Sequence, residues 1–420
     1  MENRERTKRI IRVTVIGAGY IGLPTAALLA SKGYLVTAND SNRQVVDQIN
    51  LGVSPNNEKG LQELLDIGHA SGSLVASSDV PSSDIFLITV PTPITELFEP
   101  DLHHIFDAID SIIDKLEFGN IVIVESTVPV NTTLSIAKII EERRPDLYAS
   151  NKLGVSPIKI AHCPERVLPG DLIEELLNND RIIGGINEES TKAAANFYRS
   201  FVKGNIFTTD SRTAELSKLA ENTFRDINIG FANELSEICD ELSVDVWELI
   251  ALTNRHPRVQ ILDPGPGVGG HCIAVDPWFI VKSAPKTSKI IQMARQVNIE
   301  KENFVVSKIL DSLKYFNFKN LVLYGLTYKK NVGDFRNSPS LSILNNLAQI
   351  PALNIEISDP FFEVKKHAHL IPSSVSVISE ESDPKDNRLH VVLVAHDIFS
   401  HLNHNYYPDL AIINFCRKAV

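Results

Sequence analysis

Cys272 stands four residues before Asp276, at the end of a run, "LDPGPGVGG", rich in proline and glycine. A thiol and a carboxylate one helical turn apart suit covalent catalysis, with the thiolate as nucleophile and the carboxylate moving a proton. The spacing predicts a helix that begins after Gly270, whose free N–H groups would face the thiol and favour its ionised form. The glycines of "GPGVGG" are read as room for a large ligand to approach the thiol. An inert buried cysteine is the alternative. His271 is a poor partner base, because adjacent side chains diverge in a helix or a strand.

Three other groups carry chemistry. Gly17, Gly19 and Gly22 form G-x-G-x-x-G between a strand and a helix, and Asp40 lies 18 residues beyond the last glycine. The first glycine permits a tight turn, the second lets a pyrophosphate approach the backbone, and the third allows close helix packing. A carboxylate at Asp40 suits a ribose diol and repels a 2′-phosphate, which points to NAD, although Arg43 stands nearby with the opposite charge. Lys218 and Asn222 sit four apart on one helix face, continued by Arg225; a solvated face and a binding stripe both remain open. "GLTYKKNVGDFRNSPS" places Lys329, Lys330 and Arg336 in a loop between a strand and a helix, in a chain of net charge -11. Phosphate recognition and a solvated loop are both open there.

The elements that must position these residues follow from pattern. A chain of 420 residues, 43% hydrophobic and 22% charged, predicts two or three globular domains. The acidic balance argues against nucleic acid or an anionic membrane as partner, and no apolar run approaches a transmembrane length. The charged start "MENRERTKRIIRV" enters a strand without a secretory apolar region, so a cytoplasmic protein is expected. Four scattered cysteines, Cys163, Cys239, Cys272 and Cys416, read as free thiols, and the His162-Cys163 and His271-Cys272 pairs lack the spacing of a metal site, so no metal is expected. "IIRVTVIGAG", "YLVTAND", "SDIFLITVPTP", "NIVIVESTVP" and "KIAHCPE" predict strands alternating with helices, hence a parallel sheet covered on both faces. From Asp210 one long helix follows, with Leu216, Leu219, Thr223, Ile227, Phe231, Leu235 and Ile238 spaced by three or four. The α/β texture returns with "LVLYGLTYK", "NIEISDP", "VSVIS", "HVVLVAHD" and "LAIINFC", this time without a G-x-G-x-x-G. The expected fold class is α/β: two Rossmann-like parallel-sheet domains, 1–209 and 316–420, joined by a long helix and a helical central domain, 210–315.

In order along the chain, "VIGAGYIGLPTA", "VPTP", "ESTVPV", "CPERVLPG", "ELSKLAEN", "GPGVGGHCIAVDP" and "GLTYKKNVGDFRNSPS" resemble the UDP-glucose/UDP-mannuronate dehydrogenase family over nearly the whole sequence. Those enzymes oxidise the C6 hydroxymethyl of a nucleotide sugar to a carboxylate and reduce two NAD+. The resemblance implies that Cys272 is the nucleophile, trapping the aldehyde as a thiohemiacetal that becomes a thioester. It implies that Lys218 and Asn222 stabilise an oxyanion. Asp276 and Thr127 would handle protons through a water, and Glu165 would act as base in thioester hydrolysis. NAD would be held by Gly17, Gly19, Tyr20, Ile21, Gly22, Asp40, Val90, Thr92, Thr127 and, from the third domain, Arg336. The UDP-sugar would meet Glu165, Arg166, Val167, Lys218, Asn222, Arg225, Gly269 and either Lys329 or Lys330. A homodimer is also implied.

Several positions depart from the UDP-glucose type. His271 and Val275 replace a serine and a lysine, and Pro169 stands where that type carries a second, cofactor-binding glutamate. "GGHCIAVDPWFI" and "NRHPRVQIL" resemble the branch acting on N-acetylated sugars, which implies UDP-N-acetyl-D-mannosamine as substrate, a uronate for surface polysaccharide as product, and Arg258 as a substrate contact. The gluco epimer is the nearest competitor. Two other classes fit the residues less well. A one-step β-hydroxyacid dehydrogenase leaves Cys272 idle and the third domain unexplained; a non-catalytic NAD sensor leaves the loop before Cys272 without a purpose.

Overall fold

The strand predicted at the start forms as β1 (Arg12–Ile16), buried at every residue but its first. Thr14, its one polar interior residue, shares a hydrogen bond of 2.7 Å with Ser83 Oγ, which removes the cost of burying a lone hydroxyl. The protein is described here by a computed structural model, in residues 10–55, 58–149, 157–167, 170–379, 387–402 and 409–416. It divides into two compact units, Met1–Ala220 and Glu221–Val420.

The first unit is built on an eight-stranded sheet. Its strands are β1, β2 (Leu35–Asn39), β3 (Leu74–Ser77), β4 (Ile85–Ile88), β5 (Ile121–Val124), β6 (Lys159–His162), β7 (Arg181–Gly185) and β8 (Ile206–Asp210), in the order β3-β2-β1-β4-β5-β6-β7-β8. Neighbours are parallel except β6 and β7, where Ala161 faces Gly185 and His162 faces Gly184 in antiparallel register. The parallel sheet expected from the strand–helix alternation forms, with this one antiparallel pair within it. Two apolar clusters lie in this unit, one containing Val13, Leu23 and Leu87, the other Phe86, Ile109 and Val124.

The second unit contains helices and a smaller sheet. Strands β9 (Asn320–Tyr324), β10 (Asn354–Ser358), β11 (Ser376–Val377), β12 (Leu389–Val392) and β13 (Ala411–Asn414) lie in the order β11-β10-β9-β12-β13, all parallel. The long helix runs over Ser211–Glu241 and so continues across the division of the chain. Asp210 caps it, its Oδ1 accepting from the Arg212 and Thr213 N–H groups at 3.0 and 3.3 Å. Its buried side in the second unit carries Thr223, Asp226 and Asn233 beside Ala232 and Cys239. Arg295 of the helix Lys289–Phe316 donates to Asp226 at 2.6 Å, and Asn298 donates to Asp226 at 2.9 Å and accepts from Asn233 at 2.9 Å. Phe224, Phe231 and Ile238 remain exposed by 68%, 51% and 45%. The apolar periodicity therefore located the helix correctly, yet part of it faces away from this chain's own core. Among the described residues, no helix is long and apolar enough to cross a membrane.

Candidate active site

The turn between β1 and the helix Gly22–Ser31 assigns each glycine a separate duty. Gly17 has φ +93°, a conformation L side chains rarely adopt. A Cβ on Gly22 would fall 1.9 Å from Gly17 O and 2.5 Å from Thr89 Oγ1, so the helix packs on the turn only because nothing is there. Gly19 meets nothing within 4 Å, which leaves backbone open to a ligand. Asp40, just past β2, accepts from Ala18 N–H at 3.0 Å and Asn42 N–H at 2.9 Å, and it is only partly buried. These residues fit a dinucleotide: an open glycine for the pyrophosphate and a reachable carboxylate for the ribose. Ile21 precedes the helix and packs against the core, while the Tyr20 hydroxyl donates to Glu58 Oε2 at 2.7 Å. Thr92 Oγ1 donates to Thr127 O at 2.7 Å, and Ser126 Oγ donates to Val90 O at 2.7 Å, so the loops after β4 and β5 are fastened together. Val90 also lies against Gly17.

Gly19→Ala is expected to leave the melting temperature unchanged and to weaken NAD binding by about tenfold or more, because the methyl fills only the ligand's approach. Gly22→Ala should lower both, since its methyl meets backbone. Thermal melts beside NAD titrations check the pair; equal behaviour of the two variants would remove the distinction.

Glu165 lies just past β6 and is partly buried. Burial holds its carboxyl above the ordinary carboxylate range; the Lys218 ammonium opposes this, as does a hydrogen bond from the Val167 N–H to Oε1. The sequence candidates Glu165, Val167 and Lys218 are thus brought together. Arg166 donates to Asp180 O at 3.4 Å. Pro169, read as a lost cofactor contact, lies outside the described residues. Behind Glu165 is a group that sequence reasoning missed: Glu125, Tyr198 and Arg181, each nearly fully buried. The Tyr198 hydroxyl donates to Glu125, whose carboxyl is also pushed up by burial. Glu58 was missed as well. It accepts from Gly170 and Leu172 N–H groups at 3.0 and 2.9 Å, tying Tyr20 to the segment that follows Glu165. His162 is fully buried with its pKa lowered to about 3 by desolvation, and the Cys163 thiol beside it is pushed up to about 12. A neutral ring and a protonated thiol result at neutral pH.

In the second unit, the helix after Cys272 begins at Asp276 and not after Gly270. Cys272 sits in the turn before it, and its carbonyl accepts from the Val275 and Asp276 N–H groups at 3.0 and 2.8 Å. The expectation of helix N–H groups aimed at the thiol is corrected: Cys272 offers its own carbonyl to that helix terminus. Pro277, in the first helical turn, was the available signal for the later start. Asp276 is buried and accepts from Asn222 Nδ2 at 2.5 Å, joining two of the candidates directly. Val275 is buried and His271 exposed, with His271 Nδ1 3.9 Å from Asp334.

Gly267, Gly269 and Gly270 do not hold open space for a ligand, as the sequence suggested, although Gly265 meets only Gly267 O at 4.0 Å. A Cβ on Gly269 would meet Asn337 O at 2.5 Å, Pro339 Cδ at 2.7 Å and Tyr328 Cβ at 2.9 Å. One on Gly267 would meet Pro339 Cβ at 3.0 Å. The room is used by the loop after β9. In that loop both lysines are exposed; Lys330 pairs with Asp397 at 2.7 Å, whereas Lys329 pairs with no acid among the described residues. Arg336 is held by Asp334 through contacts of 2.5 and 3.0 Å. Arg225 and Arg258 are both exposed.

The second sheet repeats the corner of the first and closes it. Gly325 N–H donates to Ser358 O at 2.9 Å as Gly17 N–H does to Asn39 O at 2.9 Å. Asp359 takes the position of Asp40 and accepts from Leu326 N–H at 2.6 Å. Its side chain, however, is fully buried against His396 at 3.3 Å. A carboxylate so enclosed has no reach to a ribose, so this corner is not a second dinucleotide site.

The protein is an NAD-dependent nucleotide-sugar dehydrogenase. The chain belongs to the UDP-glucose/GDP-mannose dehydrogenase family, matching its NAD binding domain over residues 11–202, its central domain over 212–300 and its UDP binding domain over 322–413. It is 50% identical over 351 residues to the UDP-N-acetyl-D-mannosamine dehydrogenase of Campylobacter jejuni, covering 83% of this chain and 86% of that protein. It is 42% identical over 406 residues to the NDP-N-acetyl-D-galactosaminuronic acid dehydrogenase of Ralstonia nicotianae, covering 96% and 95%. The solved structure of UDP-D-ManNAc dehydrogenase from Pyrococcus horikoshii superposes with TM-score 0.85 at 34% identity, covering 98% of this chain and 96% of the other.

Proposed function

We propose that this protein oxidises the C6 hydroxymethyl of UDP-N-acetyl-D-mannosamine to the uronate through a covalent intermediate on Cys272, supplying a precursor for surface polysaccharide. The observation that carries the reading is the state of the four thiols. Cys163 and Cys416 are pushed up to about 12 by burial, and Cys239 is buried and raised as well. Cys416 is partly exposed but its Sγ donates to Leu393 O at 3.0 Å; Cys272, also partly exposed, stands one turn before the Asn222–Asp276 pair.

Bound NAD+ supplies the hydride acceptor for both oxidations. In the first, the C6 alcohol loses its hydroxyl proton to a water held by Asp276 and Thr127. The Cys272 sulfur then adds to the aldehyde carbon, and the resulting thiohemiacetal keeps the reactive carbonyl from escaping. Lys218 and Asn222 donate to its oxygen as charge develops there. Loss of the second hydride leaves a thioester. Glu165 removes a proton from water as it attacks, and the carboxylate departs with the thiol restored. The sum is one sugar alcohol, two NAD+ and one water giving one carboxylate, two NADH and three protons.

In this reading Lys329 is the diphosphate ligand, since Lys330 is engaged by Asp397. Arg166, Val167, Arg225, Arg258 and Gly269 line the sugar nucleotide, and Arg336 approaches the cofactor. A homodimer is part of the proposal, with exposed Phe224, Phe231 and Ile238 as its apolar face. NADH yield per sugar tests the reaction and its substrate together. Two NADH per UDP-N-acetyl-D-mannosamine is expected, with slower turnover of the gluco and galacto epimers and of UDP-glucose. One NADH per sugar defeats the two-step reaction; a faster epimer reassigns the sugar.

A further inference from the structure

The residue immediately before Lys329 is Tyr328, and its side chain lies on the segment that leads to the nucleophile. A methyl on Gly270 would sit 2.9, 3.1 and 3.2 Å from three atoms of the Tyr328 ring. Gly270 has φ +86° as well, so neither its conformation nor its surroundings admit a side chain. Two hydrogen bonds fasten the same segments. Gly270 N–H donates to Arg336 O at 3.2 Å, and Asn337 Nδ2 donates to Gly270 O at 3.3 Å. The loop itself is closed by Tyr328 N–H donating to Asp334 O at 3.0 Å and by the Asp334–Arg336 pair. Cys272 follows Gly270 by two residues, with His271 3.9 Å from the same Asp334. The thiol's backbone and the exposed cation's backbone are therefore parts of one packed, hydrogen-bonded assembly.

We infer that Tyr328 is a positioning residue that couples occupancy of the diphosphate subsite at Lys329 to the placement of the Cys272 thiol. The inference rests on the reading that the loop after β9 holds the UDP moiety. A close-packed contact has no slack, so drawing Lys329 onto a diphosphate moves Tyr328 and, through its ring, the Gly269–Gly270 backbone. The chemical consequence is order: the thiol takes its reactive position only when a nucleotide is present, which guards it against stray electrophiles. Burial and the neighbouring Asp334 and Cys272 charges raise the Tyr328 hydroxyl, so the phenol stays neutral and acts by its shape.

UDP without a sugar isolates this effect, because it fills the diphosphate subsite and brings no group to the thiol. The rate of iodoacetamide alkylation at Cys272 is followed by peptide mass, with and without saturating UDP, and calorimetry measures UDP binding separately. In the unmodified enzyme UDP is expected to raise the alkylation rate by about fivefold or more, within the ordinary range of coupling between sites. Tyr328→Phe keeps the ring and should keep the effect. Tyr328→Ala should bind UDP while its Cys272 alkylates at one rate with or without it. Tyr328→Leu, which preserves apolar bulk, gives the same comparison should the alanine variant fold poorly. A bound UDP that leaves the wild-type rate unchanged or lowers it, or an undiminished effect in the alanine and leucine variants, overturns the inference. Absence of UDP binding in the calorimeter counts instead against the UDP reading of the loop.

Discussion

Replacing Cys272 by serine is expected to lower uronate formation on the order of a thousandfold or more, since a hydroxyl is a far weaker nucleophile than a thiolate. The substitution exchanges sulfur for oxygen in a partly exposed turn and leaves the Cys272 carbonyl accepting from the Val275 and Asp276 N–H groups, so the fold and the Asn222–Asp276 pair should persist. Quantifying uronate and NADH in parallel, with a thermal melt as control, checks it. Acid production by the serine variant at the wild-type rate removes the covalent mechanism, whatever the substrate. None of the other three thiols can substitute: each is buried or engaged, with Cys416 Sγ donating to Leu393 O at 3.0 Å.

Glu165→Gln should show a different defect. Both oxidations precede the step assigned to Glu165, so the variant is expected to release two NADH per site and then stall as the thioester. Loss of a general base costs roughly a hundredfold to ten-thousandfold in steady turnover. Intact-protein mass during the stall should show the acyl group on Cys272. The pH dependence carries the same signature. The base is the ionised form of Glu165, and burial raises its pKa, so wild-type turnover should fall, as pH drops, at a higher pH than an exposed glutamate would give. The glutamine variant should lack that limb. Normal turnover with no acyl-enzyme would move the hydrolytic role elsewhere, and the buried Glu125 would be the first place to look.

The two halves of the proposed chemistry differ in how far they could be read from residues alone. The roles of Gly17, Gly19 and Gly22 were legible because a turn between a strand and its following helix is local; the six residues from Gly17 to Gly22 determine which glycine bends, which is approached and which packs. Their Cβ surroundings agree position by position. The same reasoning failed at Gly267, Gly269 and Gly270, whose space is filled by Tyr328, Asn337 and Pro339, some 58 to 72 residues away in sequence. Glycine reports that backbone needs room without reporting whose atoms take it. Glu58, Glu125, Arg181 and Tyr198 left no local signal, since a buried polar residue is explained only by partners the fold supplies.

The amino-acid sequence by itself determined the two sheets, the long helix, the dinucleotide turn and the identity of the chemical groups, because periodicity and turn chemistry act over a few residues. Only the tertiary structure decided which groups meet. It paired Asn222 with Asp276, set Lys218 against Glu165, paired Lys330 rather than Lys329 with Asp397, and buried Asp359 where Asp40 stays reachable. It also moved the helix start past Cys272 and laid Tyr328 on the glycines before it. The reason is physical: burial and close packing depend on atoms distant in the chain, and they decide whether a given carboxylate, lysine or thiol is available for chemistry.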